Sequence, residues 1–296
     1  MLGGMAIYRL RGGFPELVAP VLVAAFDGWI DAAGASTAAA ARIAADGETI
    51  AEFDPDALYD FRSRRPVLDI VDGTLTELTW PGLSLRRARV GERDVLVLSG
   101  AEPDYRWREL GASVLELCLR LGVVEWVSIG SIPAAVPHTR PVPVLATASK
   151  PGLLRDEEQK GPAGLLRVPA AALSTVELAV SSSGIPAVGF YAQVPHYVGS
   201  AYPPASVALL EHVGRHLGVP LDPGELARAA EVTRERLDQA VAADEESRSY
   251  VERLESLADQ EGPRAGDDLI AEIERFLQQR ADGGEARPGE PPRPDG

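Results

Sequence analysis

The first 221 residues alternate short apolar runs with longer stretches in which apolar positions recur at helical spacing. Runs rich in valine, leucine and isoleucine are typical of strands buried on both faces of a parallel sheet. The pattern predicts strands at 20–26, 49–53, 94–99, 124–129, 142–148 and 185–193. Between them it predicts helices at 31–45, 105–121, 170–182 and 203–217.

Residues 54–93 break this alternation. Proline, glycine and short alternating stretches at 75–80 and 83–90 predict antiparallel strands there instead of another helical crossover. The remainder of the pattern, strand followed by helix, predicts an α/β fold with a largely parallel sheet covered by helices.

The predicted helix at 31–45 is rich in alanine and contains no proline, so its small side chains let it lie close to the sheet. Asp31 stands at its start, where a carboxylate can accept hydrogen bonds from the first free backbone amides. We therefore interpret Asp31 as a helix cap. Cys118 falls on the apolar side of the helix at 105–121 and is predicted to be core.

After Pro220 the composition changes. Apolar residues recur at helical intervals from Leu226 to Leu277 on an acidic background, which predicts amphipathic helices broken near Asp244 and at Gly262. The last sixteen residues are too poor in apolar groups to form a core and predict a disordered tail. The predicted organisation is a core domain (1–221), a helical extension (222–280) and a tail (281–296).

Charge and composition narrow the function. The chain carries 29 basic and 44 acidic side chains, a net charge of −15. An acidic surface repels phosphate backbones, and the short basic cluster at 62–65 does not offset this, so we expect no nucleic-acid partner. The sequence shows neither a secretory signal nor a run of about 18 apolar residues, which predicts a cytoplasmic protein without a membrane partner. A single cysteine excludes an intramolecular disulfide.

Candidate chemistry gathers after the predicted strands. Ligands of open parallel sheets bind beyond the carboxyl ends of the strands, so the loops at that edge are the place to search. The residues there with functional side chains are Asp27, Trp29, Glu102, His138, Arg140, His196 and Tyr197. The loops at the opposite edge, such as 46–48, hold fewer such groups, and this asymmetry predicts a site at the strand-end edge.

Each of these residues also has a structural interpretation. A loop histidine such as His138 or His196 is most often a hydrogen-bonded structural group. Arg140 fits equally well an anion site or a brace of its loop against Glu102 or a backbone carbonyl. Trp29 fits packing or an interface better than a stacking platform.

The usual catalytic signatures are missing from the sequence. It contains no Walker loop, no G-x-S-x-G elbow and no G-x-G-x-x-G fingerprint, and no histidine–carboxylate cluster has the spacing of metal ligands. We therefore expect neither a cofactor nor a metal.

Five segments carry a family resemblance, in order, over most of residues 18–240. They are VLVAAFDGWIDAAGAST (21–37), YDFRSRRP (59–66), EPDYRW (102–107), AVPHTRPV (135–142) and VPHYV (194–198). With them the sequence resembles the proteasome assembly chaperone 2 family, in particular its actinobacterial-type members. The resemblance implies a three-layer α/β/α fold similar to the nucleoside phosphorylase/hydrolase sheet, and subunits that associate with one another, as in a homotrimer. It also implies proteasome subunits as partners, because eukaryotic and archaeal relatives are proteasome assembly factors.

Two functional hypotheses follow. In the first, the chain is a non-enzymatic oligomeric interaction protein whose amphipathic C-terminal helices offer apolar faces to a partner or a sister subunit. In the second, it is a small-molecule enzyme or binder. Arg140 would then hold an anion, Asp27 or Glu102 would handle a proton or a ribose-like hydroxyl, and a histidine at 138 or 196 would act as general acid or base. Phosphorolysis or hydrolysis of a glycosidic bond is the reaction that fold analogy suggests.

Overall fold

The computed structural model describes residues 7–161 and 164–261. The strands of the described residues are β1 (Tyr8–Leu10), β2 (Val21–Phe26), β3 (Glu48–Phe53), β4 (Val67–Val71), β5 (Thr74–Thr79), β6 (Leu83–Val90), β7 (Arg93–Gly100), β8 (Glu125–Ala134), β9 (Val144–Ala148), β10 (Gln159–Lys160) and β11 (Ala187–Pro195). The helices are α1 (Ala35–Ile43), α2 (Pro55–Leu58), α3 (Trp107–Leu121), α4 (Ala172–Ser181), α5 (Pro203–Leu217), α6 (Glu225–Ala242) and α7 (Glu245–Glu261).

Nine strands form one mixed sheet in the order β1-β3-β6-β7-β2-β8-β11-β9-β10. The four central strands β7, β2, β8 and β11 are parallel, as the continuous apolar runs predict. The sheet as a whole is nevertheless mixed, because β6 is antiparallel to both β3 and β7 and β9 is antiparallel to β11. The tight connection from β6 to β7 is one cause, since a short hairpin joins only antiparallel strands.

Helices cover both faces of the sheet, which confirms the three-layer α/β/α arrangement. Alternate residues of β2 point to opposite faces. Leu22 and Phe26 pack with α3 and α4, whereas Val21 and Val23 pack with α1 and α5. Every residue of β2 is buried, as expected for a strand with helices above and below it. Cys118 is buried on α3, and burial raises the pKa of its thiol to about 12.

Asp31 fixes the start of α1, as the sequence predicts. The chain leaves β2, makes a single 3-10 turn at Ala32–Gly34 and enters the helix at Ala35. The carboxylate of Asp31 accepts hydrogen bonds from the backbone amides of Ser36 (2.8 Å) and Thr37 (3.2 Å) and from both of their hydroxyls. This group therefore satisfies free amides of the first helical turn from inside the core.

The carboxyl ends of the parallel strands lie at two levels. β2 pairs with β8 as far as Ala24 and Ser128, and β2 ends two residues later. β8 continues beside β11 to Ala134, six residues past Ser128. Phe26, the last residue of β2, is level with Gly130, so β8 extends four residues farther, which at about 3.3 Å per residue adds roughly 13 Å. The loops after β8 and β11 consequently extend farther along the strand direction than those after β2 and β7.

The helical extension begins as predicted, with α6 and α7 separated near Asp244. α6 packs against α5, and α7 packs against α6. Leu226 and Leu237 of α6 join the core cluster beside α5, and Val251 and Leu254 of α7 are buried. The predicted break at Gly262 and the predicted tail at 281–296 lie outside the described residues. No helix of the described chain is both long enough and apolar enough to cross a bilayer.

Candidate functional site

The structure distributes the predicted site residues between two hydrogen-bonded networks. Asp27, Trp29 and Glu102 lie in one network at the ends of β2 and β7. The other network, at the ends of β8 and β11, holds His138, Arg140, His196 and Tyr197 and extends to α6 and α7. The two levels of the strand ends account for this division. Convergence of both groups on one reacting atom stays a prediction.

An ion pair holds Asp27. Its two carboxylate oxygens lie 2.9 Å and 2.8 Å from Nη1 of Arg64, and Oδ1 also accepts a hydrogen bond from the backbone amide of Glu102 (2.9 Å). Arg64 belongs to the basic cluster at 62–65, which the sequence left without a role. The pair brings the segment between α2 and β4 against the end of β2, so its evident role is structural.

Glu102 links two elements through backbone amides. Its Oε1 accepts from the amide of Ala172 (2.7 Å), the first residue of α4, and its Oε2 accepts from the amide of Trp29 (3.3 Å). Gly28 makes room for this carboxylate, since a Cβ at that position would lie 2.8 Å from Oε2 and the backbone has φ +109°. Glu102 therefore acts as a distant cap for α4, where a negative charge is also favoured by the helix dipole.

Replacing Glu102 with alanine should lower the free energy of unfolding by about 2 kcal/mol, because the charge-assisted bond to the first amide of α4 is lost. Glu102→Gln retains an acceptor and should lose about half as much. Urea denaturation of the three proteins at pH 7 measures the difference. Equal midpoints for wild type and Glu102→Ala would show that this carboxylate does not stabilise α4.

His138 has a partner for each ring nitrogen. The residue is 2% exposed, its Nδ1 lies 2.7 Å from the Tyr197 hydroxyl, and its Nε2 lies 3.2 Å from Oδ1 of Asp238 on α6. The backbone amide of His138 also donates to the Tyr197 hydroxyl (2.8 Å). Burial raises the pKa of Tyr197 to about 12, so its phenol is neutral at pH 7 and can donate to Nδ1 while Nε2 donates to Asp238. Both ring nitrogens of His138 are then hydrogen-bonded within the chain.

His196 lies beside His138 but faces α7. Its Nδ1 lies 3.1 Å from the carbonyl oxygen of Ala134, and its Nε2 lies 2.9 Å from the hydroxyl of Tyr250. The rings of His196, Tyr197 and Tyr250 contact one another edge to face, with centroids 5.7–6.3 Å apart. These contacts attach the loop after β11 to the first half of α7.

Arg140 binds the second half of α7. Its Nε and Nη2 donate to the two carboxylate oxygens of Asp259 (3.0 Å and 2.8 Å), and its Nη1 donates to Glu255 (3.1 Å). The hydrogen bond to Asp259 raises the pKa of the guanidinium, which is charged in any case. Arg140 is thus bound within the chain by carboxylates of α7, and not by Glu102 or a backbone carbonyl, while an anion at Arg140 stays a prediction.

Arg140→Ala should loosen α7 without unfolding the core. The pair is partly exposed, so screening by water limits its strength, and we expect amide exchange over α7 to accelerate by only a few-fold. Hydrogen–deuterium exchange followed by mass spectrometry measures this change. Arg120→Ala is the matched control, because it removes a similarly exposed arginine whose ion pair with Glu116 lies within α3. Equal exchange of α7 in all three proteins would contradict the brace.

The residues that sequence reasoning missed are mostly on the helical extension: Asp238, Tyr250, Glu255 and Asp259, together with Arg64. The acidic composition of α6 and α7 was visible, but nothing in the pattern assigns a given carboxylate to a histidine or arginine about 100 residues earlier. The described residues contain no group of three or more histidine, cysteine, aspartate or glutamate side chains placed to hold a metal ion.

A concave surface lies at the opposite edge of the sheet. A cleft of about 260 Å³ opens between the end of α1, the turn from β6 to β7 and the segment after α5. Its arginine Arg42 is paired with Asp222 at 2.6 Å. None of the predicted site residues lines this cleft. The arrangement at the strand-end edge, by contrast, is a set of side chains bound to one another and to helices.

Comparison with known proteins places the chain in a family. The model of the PAC2 family matches residues 25–241. The structure of a Mycobacterium tuberculosis protein of unknown function is 36% identical with a TM-score of 0.83, covering 94% of this chain and 98% of that one. A second M. tuberculosis structure, described as a proteasome-assembly chaperone homologue, is 36% identical with a TM-score of 0.71, covering 78% of this chain and 99% of that one.

More distant similarity extends to archaea. PbaB from Pyrococcus furiosus, an archaeal proteasome activator, is 16% identical with a TM-score of 0.60, covering 80% of this chain and 99% of that one, which shows a shared fold alone. No protein of curated function matches the chain. The resemblance predicted from the five sequence segments is confirmed by the family model and by relatives that align over most of the length. The chain belongs to the PAC2 family.

Proposed function

We propose that this chain is a non-enzymatic interaction protein. It assembles as a homo-oligomer, specifically a homotrimer, and acts on proteasome subunits in the cytoplasm. The observation that carries the proposal is that the polar side chains at the strand-end edge are already bound to other groups of the same chain. His138 uses both ring nitrogens, Glu102 uses both carboxylate oxygens and Arg140 is bound by two carboxylates of α7. The polar groups that an enzyme would present to a substrate are thus engaged in holding α4, α6 and α7 in place.

The class of partner is supported by the relatives. A chain that is 36% identical over 78% of this one is described as a homologue of proteasome-assembly chaperones. The archaeal PbaB, which shares the fold, is described as a proteasome activator. Unassembled proteasome subunits are therefore the partners that we propose first.

We propose a mode of contact other than the one that the sequence suggested. The sequence predicts that apolar residues of α6 and α7 meet a partner, but Leu226, Leu237, Val251 and Leu254 pack within the chain. The exposed residues described for the two helices include eight acids and five arginines. A partner that approaches these helices would therefore meet a polar surface of mixed charge, which makes the association sensitive to salt.

The experiment mixes the purified chain with unassembled proteasome α and β subunits. We expect co-migration on native gels and a changed rate of proteasome assembly, both weakened at high salt. No co-migration together with an unchanged rate would overturn the proposal. A parallel thermal-shift screen with nucleosides, sugars and amino acids tests the small-molecule alternative, since a ligand at a hundred times its dissociation constant adds about 2.7 kcal/mol of stability.

A further inference from the structure

The hairpin β4–β5 stands apart from the nine-stranded sheet and forms a separate two-stranded sheet. All of its strand residues are exposed. Asp72 and Gly73 form its turn, both with positive φ, as the Asp-Gly turn of a tight hairpin requires. An isolated two-stranded hairpin is at best marginally stable in water, so a hairpin of this kind needs another surface to pack against.

The register of the hairpin makes one face entirely aliphatic. Leu68 pairs with Leu78, and Ile70 pairs with Leu75. Residues 68 and 70 are two apart on β4, and the β-bulge between the two pairs lets their partners, three apart on β5, lie on the same side. The opposite side carries Val67 with Thr79, Asp69 with Glu77 and Val71 with Thr74. The hairpin is therefore amphipathic, and its apolar face is formed by four large side chains.

This apolar face is open to solvent. Leu68, Ile70, Leu75 and Leu78 are 43%, 60%, 67% and 45% exposed, and Trp80 at the base is 49% exposed. Together they present several hundred square ångströms of contiguous apolar surface, a patch size that marks interaction sites. A standard interface takes about 800 Å² from each partner, so this patch can supply most of one side of it.

The charges of the hairpin favour a second copy of this chain as the partner that covers the apolar face. The apolar face itself carries no charge, which matters for a chain of net charge −15 because two copies repel each other over most of their surface. The acids Asp69 and Glu77 lie on the far face. The tip carries the exposed Asp72 and the base carries the exposed Arg65, so the two ends have opposite charge, whereas Arg62 is paired with Asp60 (3.6 Å). β4 spans about 17 Å, and a sister hairpin laid tip to base matches Asp72 with Arg65.

We propose that the apolar face of the β4–β5 hairpin packs against the hairpins of neighbouring copies of this chain, with the tip of each beside the base of the next, so that three copies close a ring. The inference rests on the homo-oligomer of the proposed function and names its contact surface. It buries four aliphatic side chains from each copy and leaves Asp69 and Glu77 in water.

The test is the molar mass of Ile70→Lys/Leu75→Lys, measured by light scattering after size-exclusion chromatography. Val71→Lys/Thr74→Lys is the matched control, since it adds the same charge at the adjacent pair on the opposite face. We expect wild type and control to form the same oligomer and the double variant to be a monomer. Unchanged circular dichroism will show that the core, which does not include the hairpin, is intact. A double variant with the mass of wild type, or a monomeric wild type, overturns the proposal.

A double-mutant cycle tests the tip-to-base arrangement. Asp72→Asn, which keeps the side chain suited to the positive φ of the turn, and Arg65→Gln should each raise the dissociation constant of the oligomer several-fold. The double variant should be no weaker than either single variant, because each removes the same pair. Additive losses would overturn the arrangement.

These experiments distinguish a failure of the proposed contact surface from a failure of the proposed function. If the hairpin variants leave the oligomer intact, the proposed contact surface is wrong, but the proposed action on proteasome subunits is unaffected. Dissociation of Ile70→Lys/Leu75→Lys, with wild type inert toward proteasome subunits, establishes the surface and removes the function.

Discussion

Asp31→Ala should lower the free energy of unfolding by about 3 kcal/mol, the sum of a lost helix cap and of charge-assisted hydrogen bonds to a buried carboxylate. The carboxylate serves two amides and two hydroxyls of Ser36 and Thr37 from a position that is 9% exposed. Without it the buried amide and hydroxyl of Ser36 and the amide of Thr37 lose their acceptor, whereas the Thr37 hydroxyl keeps the carbonyl oxygen of Gly34 (3.3 Å). The effect is large because the helix that it starts, α1, covers the centre of the sheet.

Denaturation in urea at pH 7 measures this loss. Asp31→Asn keeps one acceptor oxygen and should fall between wild type and Asp31→Ala. Asp46→Ala is the control, because Asp46 is an exposed acid just after the other end of α1, where loss of a negative charge costs nothing. A loss below about 1 kcal/mol for Asp31→Ala would mean that water replaces the carboxylate as the cap.

Asp94→Ala should also cost about 3 kcal/mol, because it removes a buried carboxylate that accepts hydrogen bonds from a backbone amide and from an arginine. The side chain of Asp94 is 3% exposed. It accepts from the backbone amide of Val18 (2.7 Å), which holds the segment before β2, and from Nε and Nη2 of Arg87 on β6 (both 2.9 Å). Asp94→Asn, which cannot reproduce the charge, should lose an intermediate amount.

The contribution of Asp94 should depend on pH. Burial raises the pKa of this carboxyl, but the hydrogen bonds from Val18 and Arg87 outweigh it, and the net pKa lies below the ordinary value. A carboxyl with a lowered pKa stabilises the fold above its unfolded pKa of about 3.9 and loses that contribution as the pH falls through the folded value. The stability difference between wild type and Asp94→Asn should therefore be constant from pH 6 to 5 and shrink below pH 4. A difference that is the same at pH 6 and pH 3 would contradict this account.

The elements that local pattern determines could be predicted from the sequence. The apolar runs placed β2, β7, β8 and β11, and the cap at Asp31 was predictable because its partners follow within six residues. The antiparallel stretch at 54–93 was also predictable from its turns and alternation. The direction of β9 was not, because strand direction at the edge of a sheet depends on where the preceding loop leads, and the pattern of a five-residue strand is the same in either direction.

Even less of the candidate site than of the fold could be predicted from the local sequence pattern. The strand-end rule assumed that all strands end at one level, whereas β8 runs four residues past the level at which β2 ends. The partners that decide what His138 and Arg140 do are supplied by α6 and α7, 100 and 119 residues later in the chain. Residue spacing carries no information about contacts of that separation, so the structural role of these two side chains required the fold.

The long separation between Arg140 and Asp259 also sets an order of events during synthesis. The nine-stranded sheet is complete when β11 has left the ribosome, well before α7 is made. At a synthesis rate of roughly 5 to 20 residues per second, Asp259 is added on the order of ten seconds after Arg140. During that interval the loops after β8 and β11 are uncovered on a nascent chain, and a helper protein has its opportunity to bind them before the last helix arrives.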